Sequence, residues 1–147
     1  LSGAGVTDAA LPITGGCLCG AIRYTVSKPP LGSRTCWCRL CQYLASGSAT
    51  VNMIFPADAV TVTGPLRTFE RIAESGNHLT RGFCPECGTQ VTSQAAENGH
   101  LLILRTGTLD DPNLLGPQAT IWTGMAPHWA PMNPELPAHA KQPPPIA

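Results

Sequence analysis

Seven cysteines constrain this chain more than any other feature. Three fall within six residues, as Cys36, Cys38 and Cys41, and four form two pairs, Cys17-Leu18-Cys19 and Cys84-Pro85-Glu86-Cys87. An odd total with spacings of one or two residues favours metal ligation over disulfides. A single intervening residue strains an intrachain disulfide, yet lets two thiols on one strand face or at a tight turn point at one ion. The cysteines are therefore read as metal ligands in a reducing compartment.

The set divides as four plus three. The two pairs together complete a closed four-thiolate site, of the kind that supplies folding energy and no chemistry. The triplet alone offers three corners of a tetrahedron, and three protein ligands with an open position is the pattern of a catalytic zinc. Spacing does not force this partition, since Cys84 and Cys87 could instead complete the triplet's metal. A histidine from His78, His100, His128 or His139 could also close the triplet into a structural site, or one of its cysteines could be a buried spectator thiol.

At 147 residues the chain has room for one domain with a real core. Nine basic and nine acidic residues balance, so nothing provides the positive field of a non-specific nucleic-acid binder. No run of about 18 apolar residues supplies a membrane helix. The first thirteen residues lack the basic start and long apolar run of a secretory signal. A cytoplasmic protein with no nucleic-acid or membrane partner is expected; the oligomeric state is not legible.

Residues 1–13 read as a flexible lead-in, 14–125 as the zinc-binding domain, and 126–147 as a proline-rich tail without regular structure. Residues 21–26 alternate apolar and polar, the period of a half-buried strand. Residues 27–33 read as a turn-rich connection and 39–45 as one short helical turn. Further strands are expected at 49–55, 59–63, 67–73, 79–83, 89–95, 101–106 and 119–122, with Gly, Pro, Asn or Asp in nearly every gap. No segment sustains a 3.6-residue apolar period, so the domain is expected to be mainly β with little helix.

Outside the cysteines the candidates are few. Trp37 lies between two ligand positions and is expected to frame the site and to contact substrate. His128 and Trp129, between Pro127 and Pro131, are candidate substrate contacts, while Trp122 reads as core. No phosphate loop, dinucleotide fingerprint or serine-nucleophile elbow is present.

In order along the chain stand residues 15–24 (GGCLCGAIRY), Cys36-x-Cys38-x-x-Cys41, Ser46-Gly47-Ser48 and residues 83–89 (FCPECGT). This ordered set resembles the glutathione-dependent formaldehyde-activating enzyme family, which includes centromere protein V. The resemblance spans roughly residues 14 to 125, and Trp37 stands where members often carry histidine. It implies a zinc-bridged β-sheet fold of the β-tent type, with two zinc ions per chain. Cys17, Cys19, Cys84 and Cys87 would hold a structural zinc and Cys36, Cys38 and Cys41 a catalytic one. The implied activity is that of a carbon–sulfur lyase joining formaldehyde to the thiol of glutathione as S-hydroxymethylglutathione. The rival expectation is a non-catalytic zinc module used for protein contacts.

Overall fold

Alternation along β2 (Arg23–Val26) is strict, with Tyr24 and Val26 buried and Arg23 and Thr25 exposed. In the computed structural model, which describes residues 10–144, this strand lies between β1 (Ile13–Gly16) and β5 (Val60–Thr63) in a three-stranded antiparallel sheet. The second sheet has eight strands. It comprises β3 (Gly32–Cys36), β4 (Thr50–Pro56), β6 (Arg67–Ile72), β7 (His78–Phe83), β8 (Gln90–Ala95), β9 (Leu101–Arg105), β10 (Ala119–Ile121) and β11 (Ala138–His139). Their spatial order is β11-β10-β3-β4-β9-β8-β7-β6. Apart from short 3₁₀ turns, the described helix is α1 (Arg39–Leu44), so the domain is mainly β.

The large sheet has two differently used faces. Met53 and Phe55 of β4 and Leu104 of β9 turn to a core shared with Ile13, Ile22, Tyr24 and Val26 around the small sheet. Because side chains alternate across a strand, Asn52, Ile54, Ile103 and Arg105 face the other way. A register shift at Gly82/Phe83 marks a bulge in the β7–β8 pair, and Val91 beside it joins the core.

Three strands escape the sequence reading. β1 includes Ile13 and Thr14, so the small sheet starts inside the expected lead-in. The lead-in over residues 1–9 lies outside the described residues. β3 begins within the expected turn-rich connection: its small and polar residues have modest strand propensity, but β4 and β10 pair with it on both sides. The tail is not free of regular structure. Proline lacks an N–H but keeps its carbonyl, and Pro137 O accepts a hydrogen bond from Thr120 N at 2.9 Å. β11 then runs parallel to β10, and Gly124 N donates to Ala140 O at 3.1 Å.

Gly15 fixes the contact between the small sheet and the end of β9. Tyr24 OH and Thr108 Oγ1 are 2.8 Å apart, and Thr108 Oγ1 donates to Arg105 O at 2.7 Å. A Cβ at Gly15 would stand 2.3 Å from Tyr24 OH and 2.4 Å from Thr108 O. Gly15→Ala is accordingly expected to cost about 1–3 kcal/mol through overpacking. Chemical denaturation would register this; unchanged stability would mean that the Tyr24–Thr108 contact yields freely.

Candidate functional site

The glycine-flanked turns after β1 and β7 bring four thiols together. Cys17 and Cys19 follow β1, Cys84 and Cys87 lie between β7 and β8, and their sulfurs all lie within 4.8 Å of one another. Cys17 Sγ and Cys19 Sγ are 3.6 Å apart, and Cys19 Sγ and Cys84 Sγ 3.8 Å. Zinc–sulfur bonds of about 2.3 Å in a tetrahedron place sulfurs roughly 3.8 Å apart, so the donor set fits that ion. Gly20 at φ 83° and Gly88 at φ 77° make the turns, which an L side chain would strain. The Ile22 amide donates to Cys17 Sγ at 3.2 Å. Thr89 Oγ1 lies 3.2 Å from Cys87 Sγ, and its hydrogen bond leads the effects that hold this thiol down to about 5. Although the Ala21 amide favours its thiolate, Cys19 is pushed up to about 12 by Cys17 and the other two sulfurs. Four thiols this close cannot all ionise comfortably without a cation among them.

The triplet forms a second group, also within 4.8 Å, at the junction of β3 and α1. All three cysteines are buried, and among the described residues no histidine, aspartate or glutamate joins them within that range. Thus His78, His100, His128 and His139 do not close the group, and Cys84 and Cys87 belong with the other pair. Cys38 caps α1, accepting a hydrogen bond from Cys41 N at 3.4 Å. Hydrogen bonds from Cys36 and then Cys38 hold Cys41 down to about 3, with smaller help from Thr50 and Arg105. Cys36 is pushed far above the ordinary thiol range by its bonds to Cys38 and Cys41 and by burial. Three thiolates this close likewise call for a cation among them.

Gln42 secures this corner. Its amide nitrogen donates to Trp37 O at 2.8 Å and to Met125 O at 3.0 Å, joining α1 to the turn after β10. Trp37 is buried and meets Trp129 edge-on, with ring centroids 6.4 Å apart. Trp129 is exposed, and so is His128. None of the three lines the cleft in front of the sulfurs.

That cleft, of about 160 Å³, lies on the outer face of the large sheet. Cys36, Cys38 and Cys41 open into it, as do Arg34, Arg81 and Arg105. Ala73 to Ser75, in the β6–β7 connection, lie at one margin, and Trp122 and Gln142 at another. Trp122, read from sequence as core, is buried in the cluster around the triplet, takes a left-handed φ of 58° and donates its indole N–H to Gln142 Oε1 at 2.9 Å. The tail therefore contributes to the cleft wall. Strand alternation already carried the signal for the arginines: Arg105 adjoins core-facing Leu104, and Arg34 shares the face of Cys36 two residues on.

The family model for glutathione-dependent formaldehyde-activating enzymes matches residues 12–125. A Halomonas elongata protein named "Putative glutathione-dependent formaldehyde-activating enzyme" is 32% identical over 82 residues, a stretch covering 52% of each chain. The match thus spans about half the length of that relative. A Rhodobacter sphaeroides protein of known crystal structure superposes with a TM-score of 0.55 at 18% identity, over 85% of this chain and 98% of its own, a likeness in fold. No described helix is long and apolar enough to cross a membrane.

Proposed function

The chain belongs to the glutathione-dependent formaldehyde-activating enzyme family, and from that premise we propose that it is a zinc-dependent carbon–sulfur lyase. Its reaction would be the joining of a thiol to an aldehyde, glutathione and formaldehyde being the nearest pair. In this reading Cys17, Cys19, Cys84 and Cys87 hold a structural zinc, and Cys36, Cys38 and Cys41 a catalytic one. The observation that carries it is the triplet itself: three buried thiols, with no fourth side-chain ligand among the described residues, facing a cleft.

A zinc ion held there would supply a Lewis acid, favouring the thiolate form of a bound thiol or polarising an aldehyde oxygen. The protein's own part is positional. Burial of the three sulfurs limits competing solvent, and Gln42 fixes the loop that carries them. The apolar cleft walls at Ile54, Ile103 and Ile121 surround the reacting groups. In the addition, sulfur attacks the aldehyde carbon, one S–C bond forms, and the thiol proton ends on the former carbonyl oxygen.

Cobalt in place of zinc tests this directly. Glutathione is expected to alter the cobalt–thiolate absorption of the wild type and to leave that of Cys38→Ser, which retains only the four-cysteine site, unchanged. A wild-type spectrum indifferent to every thiol would sink direct coordination and favour a zinc module for protein contacts.

A further inference from the structure

The described ion pairs, Arg23–Asp110, Lys28–Asp58 and His78–Glu97, all leave out the three arginines of the cleft. Arg81 and Arg105 are buried, at 7% and 9% exposure, and Arg34 is half-buried. Arg105 Nη1 donates to Asn52 Oδ1 at 2.5 Å, but its buried Nε has no partner. Arg81 lies over the Phe69 ring at 5.3 Å, and no hydrogen bond engages its side chain or that of Arg34 among the described residues. A guanidinium stays charged even when buried, and buried charge without a counter-charge is costly.

Sheet register explains how they converge. Arg34 of β3 stands opposite Asn52 of β4, which stands opposite Arg105 of β9. Arg81 of β7 stands opposite Ser93 of β8, which pairs with Ile103 of β9, two residues from Arg105. Two cross-strand rows therefore present three cations on one face, with the triplet at its edge. Three thiolates around a divalent ion leave one negative charge, and Glu74 at the rim is the acidic side chain of the lining. Positive charge remains in excess.

We propose that Arg34, Arg81 and Arg105 form an anion-recognising subsite, so that the thiol handled at the triplet carries a carboxylate or phosphate group. This rests on the reading of the triplet as a thiol-handling metal site. The planar guanidinium fork suits either group, offering paired N–H donors to two oxygens. Anionic thiols are thereby selected over neutral ones of the same shape, with the sulfur directed toward the triplet.

The test is calorimetric titration of the metal-loaded full chain with two matched pairs, mercaptosuccinate against its dimethyl ester and pantetheine 4′-phosphate against pantetheine. In at least one pair the anion is expected to bind 10-fold or more tightly, and the pair identifies carboxylate or phosphate as the group read. The preference should shrink as salt is raised and fall about 10-fold in Arg34→Met, with part restored in Arg34→Lys. Arg34 is the least buried of the three, and thermal unfolding of each variant verifies that it folds. Equal affinities within both pairs in the wild type would overturn the subsite.

The parent reading fails differently. If thiols leave the cobalt spectrum unchanged while thiol-free succinate or inorganic phosphate still binds and weakens in Arg34→Met, the subsite stands and thiol coordination falls. If the spectrum responds to charged and uncharged thiols alike, with equal affinities, coordination stands and the subsite falls.

Discussion

Cys84→Ser is expected to leave the chain without a cooperative thermal transition, or with its Tm lowered by at least ~15 °C. Cys84 is fully buried, and it packs in the same core cluster as Ile22, Tyr24 and Val91 while belonging to the four-cysteine group. That group joins the turn after β1, in the small sheet, to the β7–β8 connection of the large one. A structural zinc contributes about 10–16 kcal/mol in small zinc-dependent folds, whereas a whole domain is stable by only about 5–15 kcal/mol. Serine is a poor zinc ligand and would also place a hydroxyl in an apolar setting. Circular dichroism melts with metal analysis measure both consequences. A cooperative melt within a few degrees of wild type, with that site's metal gone, would show that the sheets hold together without it.

Cys38→Ser is expected to do the reverse, lowering activity by 100-fold or more and removing one metal per chain while shifting Tm by less than ~5 °C. Disturbing groups merely adjacent to metal ligands commonly costs 10–100-fold, so loss of a ligand should cost at least as much. The fold is spared for a local reason. Cys38 caps α1 through its sulfur, and serine is among the best N-caps, so the helix keeps its start while the metal loses a thiolate. Steady-state kinetics with glutathione and formaldehyde, run beside metal analysis and a melt, separate the outcomes. If Cys38→Ser melts as low as Cys84→Ser, the division of labour between the two groups is wrong.

Most strands were legible because their residues alternate in the way a half-buried sheet requires, as β2 does with Tyr24 and Val26 inward. The strands that escaped are held by their neighbours. Gly32 and Ser33 in β3 have little strand character of their own, yet β3 lies between β4 and β10. In the tail, Pro137 accepts from Thr120, and β11 exists because β10 offers it an edge. Trp37 and Trp129, both candidate substrate contacts from the sequence, meet edge-on, and neither lines the cleft.

By itself the sequence determined the chemistry that is available: seven thiols at metal-ligand spacing, a mainly β chain, and the ordered motifs of one family. Thiol reactivity and ligand bite are local properties, written in residue type and short spacing. Spacing left open which cysteines meet; the ordered motifs implied the grouping, and the tertiary structure realises it, with Cys19 and Cys84 65 residues apart in the chain and 3.8 Å apart in space. Only the tertiary structure assembled Arg34, Arg81 and Arg105, from three different strands, around one cleft. Their convergence depends on strand order and register, and those are fixed by packing across the whole sheet rather than by any neighbouring residue.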